Sequence, residues 1–125
     1  MVLLAVFLAG ALGTTARLGI DAIVPAQPGN LPLSTLLINT VGSFALGVLG
    51  TAIPHSAPEW LRAGATTGLL GSFTTFSALT VAAVQLTGSG EVLSAAALLI
   101  LSVAAGVAAA VAGIAVGALL QRRRA

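Results

Sequence analysis

The chain has 125 residues, of which 58% are hydrophobic and only 6% are charged, and its formal net charge is +2. This composition argues strongly against a soluble globule and is typical of a single membrane domain. The basic residues are five arginines, which are too few for a nucleic-acid interface. No cysteine is present, so disulfides and thiolate metal sites are excluded.

Apolar segments at about residues 2–20, 33–53, 61–86 and 91–120 predict four membrane-spanning helices. We therefore expect an all-α, multi-pass protein of the lipid bilayer, with one four-span domain over residues 1–125. In the first segment Gly10, Gly13 and Arg17 fall on one side at helical spacing. Arg17 is near the end of the segment, where its charge can reach the membrane surface. Residues 21–32 are rich in Pro and Gly, which predicts a loop.

The second segment carries a polar and small face made by Thr35, Asn39, Gly42 and Ser43, at spacings of i, i+4, i+7 and i+8. Asn39 is the most polar side chain inside any predicted span. It could make a hydrogen bond between helices, or it could donate to a permeating solute.

The third segment contains Gly68-Leu-Leu-Gly-Ser-Phe-Thr-Thr-Phe-Ser-Ala-Leu-Thr80, with two glycines and five hydroxyl residues. Gly loosens a helix, and Ser and Thr offer its backbone other partners, so residues 71–75 are a candidate helix break. A break inside a membrane is tolerated only where it is buried in protein or faces a wet cavity. The alternative is a continuous helix whose small residues allow a neighbouring helix to approach closely.

The fourth segment has a stripe of small residues at helical spacing, which predicts close contact with another helix: Gly106, Ala110, Gly113 and Gly117. The only histidine, His55, is in a loop beside two prolines and is expected to be solvated. With four spans, four arginines are on the side of the termini and one is on the other side. The positive-inside rule then places both termini in the cytoplasm.

No predicted span has a carboxylate or histidine in its interior, which argues against an enzyme and against a proton-coupled transporter. Passive transport or a structural role remains. The donors available inside the membrane are the Asn39 amide and the hydroxyls of Thr35, Ser77, Thr80 and Ser102. Phe76 adds an aromatic ring, whose positive edge can face a small anion, although it could equally pack the helices together.

Three motifs resemble those of the Fluc (CrcB) fluoride channels. They are Gly68-Leu-Leu-Gly-Ser-Phe-Thr-Thr-Phe-Ser77, Leu36-Leu-Ile-Asn-Thr-Val-Gly-Ser-Phe44 and Gly10-Ala-Leu-Gly-Thr-Thr-Ala-Arg17. The resemblance covers nearly the whole chain. It implies passive export of fluoride across the cell membrane by an antiparallel dimer with two narrow pores.

The resemblance also implies roles for individual residues. A structural sodium ion, which is not transported, would be bound on the dimer axis by the backbone carbonyls of Gly71 and Thr74, and Arg17 would have a structural role. The fluoride pathway would then be lined by the following side chains: Thr35, Asn39, Phe76, Ser77, Thr80 and Ser102.

The chain departs from the family pattern at two positions. Leu79 stands where a second pore phenylalanine is usual, and Ala82 stands where a polar residue often follows. Since the arginine bias also favours one fixed orientation, the partner could be a homologous subunit in the opposite orientation rather than a second copy. The alternatives are a non-conducting or partly degenerate subunit of a heterodimeric channel, or a small four-span solute exporter.

Overall fold

A computed structural model of the protein describes residues 1–25 and 31–123. Within these ranges the regular structure is entirely helical, without strands. Four stretches are long and apolar enough to cross a membrane. They are Val2–Ile23, Leu33–Ala52, Glu59–Gly88 and Val92–Arg122. The prediction of an all-α, four-span membrane protein is thus confirmed.

The third span, Glu59–Gly88, is interrupted near its middle. It consists of α3 (Glu59–Ala63), a π-helical segment (Gly64–Leu70), α4 (Gly71–Phe73) and α5 (Phe76–Gly88). Between α4 and α5, Thr74 and Thr75 have extended backbone angles, with ψ values of 153° and 119°. We call these two residues the break. The predicted interruption is therefore present, and the continuous helix considered as its alternative is excluded.

The other three spans are α1 (Val2–Ile23), α2 (Leu33–Ala52) and α6 (Val92–Arg122). The first of them continues beyond the predicted limit at residue 20, so Asp21 is helical rather than part of a loop. Residues 26–30 of the predicted loop, and Arg124, lie outside the described residues. His55 is exposed in the turn between α2 and α3, as expected for a solvated loop residue.

The break divides the third span between two neighbours. The π-helical segment and α4 pack against α1, whereas α5 packs against α6. A cluster of apolar side chains joins α5 to α6 and is almost fully buried. Its members are Leu79, Ala83, Leu86, Ala95 and Leu98. The interruption thus lets one span contribute to two separate helix contacts.

The contact between α2 and α6 depends on glycines. A Cβ atom added at Gly47 would contact the carbonyl oxygen of Ala110 and lie 2.9 Å from the amide nitrogen of Ile114. One added at Gly113 would contact the carbonyl oxygen of Phe44. Since dispersion attraction and lipid entropy, rather than the hydrophobic effect, drive helix association in lipid, this close approach stabilises the pair. The predicted small-residue stripe of the fourth segment is therefore a contact with α2.

The turn from α5 to α6 is closed by a Schellman motif. The amide of Glu91 donates to the carbonyl of Leu86 over 2.8 Å, and that of Gly90 donates to the carbonyl of Thr87 over 3.1 Å. This motif requires a left-handed residue, and Gly90 supplies it with a φ of 86°. The tight turn holds α5 against α6.

Replacing Gly47 by alanine should lower the free energy of unfolding by about 1–3 kcal/mol, because the new methyl group overpacks the contact with α6. The matched control is Gly50→Ala on the same helix, where an added Cβ atom meets nothing within 4 Å. Thermal unfolding of the purified protein in detergent, followed by circular dichroism, measures both variants. Equal midpoints for the two variants would show that the α2–α6 contact tolerates the added methyl group.

Candidate functional site

The break is held by a pair of hydrogen bonds from α2. The Asn39 side chain donates from Nδ2 to the carbonyl oxygen of Thr75 over 2.8 Å. In return, the amide of Thr75 donates to Asn39 Oδ1, also over 2.8 Å. A carboxamide carries both a donor and an acceptor, so it can satisfy both backbone groups of one residue, as a neighbouring strand would. Asn39 therefore replaces the helical partners that Thr75 lacks.

A second side chain caps the helix that follows the break. Thr75 is the N-cap of α5, and its hydroxyl oxygen accepts a hydrogen bond from the amide of Ala78 over 3.2 Å. The same hydroxyl is 3.2 Å from that of Ser77. Thr75 is buried, and N-cap bonds of this kind satisfy one of the free amides at a helix start. The side chain of Thr75 and its backbone therefore both take part in forming the break.

These two interactions redirect backbone amides away from two carbonyls. In a continuous helix the amide of Thr75 would donate to the carbonyl of Gly71, and that of Ala78 to the carbonyl of Thr74. Here they donate instead to Asn39 Oδ1 and to Thr75 Oγ1. The carbonyl oxygens of Gly71 and Thr74 thus lose their regular donors and become available to an external partner.

A cavity of about 310 Å³ opens beside the break. Four of the residues to which the family resemblance assigns a role line this cavity: Asn39, Gly71, Thr74 and Phe76. Its wall combines amide, hydroxyl and backbone groups with apolar and aromatic side chains. The full lining is Asn39, Gly42, Ser43, Leu46, Thr66, Leu70, Gly71, Thr74, Thr75 and Phe76. The break consequently faces a cavity, as a helix interruption within a membrane requires.

The opposite side of α4 is fixed to α1. The Ser72 hydroxyl lies 2.8 Å from the carbonyl oxygen of Gly10 on α1 and 2.8 Å from that of Gly68 in its own span. Gly13 permits this approach, because an added Cβ atom there would meet Ser72 Oγ and the carbonyl oxygen of Leu69. The α1 glycines predicted to share one side therefore face the third span, where they position α4.

The other residues assigned to the fluoride pathway do not line this cavity. Thr35 is buried one turn before Asn39 on α2. The hydroxyls of Thr80 and Ser102 donate to backbone carbonyls of their own helices, Thr80 to Ser77 over 2.9 Å and Ser102 to Leu98 over 2.7 Å. Ser77 is exposed beside the break. A pathway using all of these residues would extend from the cavity along α5 and α6.

Phe76 and Leu79 differ sharply in exposure although they are three residues apart. Phe76 begins α5 with 73% of its surface exposed, whereas Leu79 is 4% exposed and belongs to the cluster against α6. Ala82 packs partly buried against the same cluster. The two departures from the family pattern therefore lie on the α6 side of α5, away from the exposed ring.

Arg17 follows Gly10 and Gly13 at helical spacing along α1. Its Nε atom is buried and has no hydrogen-bond partner among residues 1–25 and 31–123. Over the same residues no group of three or more His, Cys, Asp or Glu side chains could hold a metal ion.

The sequence pattern predicts no role for Thr75 beyond its place in the break. A hydroxyl residue directly before Phe76-Ser-Ala-Leu79 is a helix N-cap signal, and this signal would have placed the start of α5. The pairing of Asn39 with Thr75 had no comparable local signal, because the two residues are far apart along the chain.

Comparison with known proteins gives a consistent result. A family model described as "CrcB-like protein, Camphor Resistance (CrcB)" matches residues 4–114. A protein of Paracoccus denitrificans named fluoride-specific ion channel FluC is 38% identical over 114 residues, covering 91% of this chain and 92% of its own. One of Geobacillus kaustophilus, named fluoride-specific ion channel FluC 2, is 46% identical over 95 residues, covering 73% of each chain. Fluoride-specific ion channel FluC 1 of Cutibacterium acnes is 45% identical over 106 residues, covering 81% of this chain and 74% of its own.

The approach of α2 to the break gives a prediction for Gly42. An added Cβ atom would contact Thr74 Cγ2 and lie 3.2 Å from a ring carbon of Phe73, so Gly42→Ala should displace the break and destabilise the protein by about 1–3 kcal/mol. In Gly10→Ala the new methyl group would lie 3.8 Å from the carbonyl oxygen of Gly68, an ordinary contact. Thermal unfolding in detergent compares the two, and a Gly42→Ala midpoint as high as that of Gly10→Ala would contradict the prediction.

Proposed function

This chain belongs to the CrcB family, and on that basis we propose that it forms a fluoride-specific ion channel that exports fluoride passively across the cytoplasmic membrane. It performs no enzymatic step, and the fluoride gradient supplies the driving force. The observation that carries the proposal is the broken third span, with a cavity beside it lined by Asn39, Gly71, Thr74 and Phe76. The sequence comparisons support fluoride as the ion, and this geometry supports a conduction pathway.

The cavity offers a small anion donors without a fixed positive charge. The Asn39 amide group has two N–H bonds, of which one is used by the carbonyl of Thr75, so the other is free to donate to fluoride. The exposed ring of Phe76 presents a positive edge. Neutral donors of this kind can replace water around fluoride and still allow it to leave, as conduction requires.

The hydroxyls beyond the cavity would bind fluoride weakly. Thr80 and Ser102 already donate to backbone carbonyls, and a hydroxyl has only one proton. As the ion passes, that proton would turn from the carbonyl to fluoride and then return. Thr35 and Ser77 complete the series of hydroxyls on the proposed pathway. At Thr80 and Ser102 the ion exchanges one hydrogen bond for another, so neither site would retain it strongly.

A structural sodium ion fits the backbone of the break. Hard cations prefer oxygen ligands, and the carbonyl oxygens of Gly71 and Thr74 lack their regular amide donors. Two carbonyls are few for a cation, and a second subunit meeting the first at this point would contribute two more. The ion would hold the subunits together without being transported.

The proposed assembly is an antiparallel dimer in the bilayer, with the termini of this chain in the cytoplasm. Its partner is either a second copy or a homologous subunit in the opposite orientation. Leu79 favours the homologous subunit, because its buried side chain offers no aromatic edge to an anion near α6. The four-to-one arginine bias in the sequence also favours a single orientation for this chain. Relatives numbered FluC 1 and FluC 2 are consistent with paired channel genes in their organisms.

Reconstitution of the purified chain tests the function directly. Liposomes loaded with fluoride should release it, as measured with a fluoride electrode, either with this chain alone or after co-reconstitution with a homologous subunit. Protein-free and chloride-loaded liposomes are the controls for leak and selectivity. Release by the single protein would show that no homologous partner is needed, whereas no release in either preparation would contradict the proposed function.

Phe76 should be needed for rapid flux. Phe76→Ile keeps an apolar side chain but removes the ring edge. If a ring edge contributes as much to an anion as it does to another aromatic ring, about 0.5–1.5 kcal/mol, efflux should fall by roughly two- to tenfold. Phe7→Ile is the matched control, because Phe7 is 72% exposed on α1 and does not line the cavity. Size-exclusion chromatography checks that both variants retain the parent's oligomeric state, and equal efflux by the two would indicate that the Phe76 ring only packs.

A further inference from the structure

We propose that Asn39 and Thr75 are positioning residues that create the cation site, in addition to any contact of Asn39 with fluoride. By accepting the amides of Thr75 and Ala78, they free the carbonyls of Gly71 and Thr74. This inference rests on the proposed function, because it concerns the structural sodium ion. It predicts that the affinity of the break for sodium is set by side chains that do not touch the ion.

Without Asn39, the break would lose the acceptor for one backbone amide. The amide of Thr75 would need another acceptor, and the carbonyl of Gly71 is four residues earlier, where a helical bond would form. An unsatisfied backbone group inside the membrane costs several kcal/mol, so this bond would form if the chain could close. The Gly71 carbonyl would then share its oxygen between the amide and the cation.

The hydroxyl of Thr75 frees the carbonyl of Thr74 in the same way. The amide of Ala78 has a helical partner in the carbonyl of Thr74, but it donates to Thr75 Oγ1 instead. The two side chains therefore act in the same way, Asn39 on the carbonyl of Gly71 and Thr75 on the carbonyl of Thr74. Two independent substitutions should consequently produce the same defect.

Side-chain chemistry separates this positioning role from anion conduction. Asn39→Asp keeps an oxygen to accept the amide of Thr75, so the carbonyl of Gly71 stays free, but it loses the donor to the carbonyl of Thr75 and its negative charge repels fluoride. Asn39→Leu has similar size and no acceptor. Thr75→Ser keeps the hydroxyl, whereas Thr75→Val keeps the shape and removes the acceptor.

The measurement is the thermal unfolding midpoint of the dimer in detergent, titrated with sodium chloride against N-methylglucamine chloride at constant ionic strength. A ligand that binds only the folded state raises this midpoint, so the titration reports sodium affinity without fluoride flux. Asn39→Leu and Thr75→Val should need at least about tenfold more sodium for half the shift, as expected when a bond to a charged group is weakened. Thr75→Ser should keep the response of the unmodified protein. Asn39→Asp should need no more sodium than the unmodified protein, because it keeps the acceptor and its negative charge attracts a cation, although it should suppress efflux.

The outcomes distinguish this inference from the function on which it rests. Unchanged sodium affinity in both Asn39→Leu and Thr75→Val would overturn it while leaving the channel intact. A sodium response in the unmodified protein without any fluoride efflux would instead contradict conduction alone. If the unmodified protein shows no sodium response, both the proposed ion and this inference fail. Should Asn39→Leu not fold, the Thr75→Val and Thr75→Ser pair decides the matter, with Thr87→Val as a control for loss of a hydroxyl away from the break.

Discussion

The structure depends on the pairing of one carboxamide with the backbone of one threonine. Two extended residues interrupt a helix that spans the membrane, and hydrocarbon offers no water for the groups they release. Asn39 satisfies the N–H and the C=O of Thr75 together, over 2.8 Å each. A carboxamide provides a donor and an acceptor side by side in one planar group. Without this pairing both backbone groups of Thr75 would lose these partners, at a cost of several kcal/mol each inside a membrane.

The glycine contacts follow from this requirement, since Asn39 can reach Thr75 only if α2 lies close to the break. Gly42, one turn after Asn39, allows that approach, because any side chain there would meet Thr74 and Phe73. Where α4 meets α1, Gly13 allows the hydroxyl of Ser72 to approach α1. Backbone groups and small residues therefore position α4 from two directions. In a membrane such contacts rely on dispersion and hydrogen bonds, which weaken quickly with distance.

Much of this arrangement could be predicted from the sequence, where the signal is local. Hydropathy predicted the four spans, and the glycines and hydroxyls of residues 71–75 predicted an interruption that the structure has at Thr74 and Thr75. The stripe containing Gly113 predicted a helix contact, but the sequence did not show that α2 is the partner. Which helices pair depends on the whole bundle and not on one segment. For the same reason Asn39 had two open interpretations. The π-helical segment was not predicted, since its hydrogen-bond pattern has no distinctive residue periodicity.

Hydrogen bonds to backbone carbonyls also bear on how an anion could cross the protein. Two of the hydroxyls assigned to the pathway, those of Thr80 and Ser102, already donate to a backbone carbonyl, whereas Asn39 uses one N–H in this way and keeps the other. Fluoride would have to compete with that carbonyl for a hydroxyl proton, so the net gain at each hydroxyl is a difference between two similar bonds. A fixed positive charge would bind more strongly and release more slowly. A channel needs the weaker interaction, because ions must leave each site as readily as they enter it. Satisfying the protein's own backbone and binding the ion weakly are therefore two consequences of one arrangement.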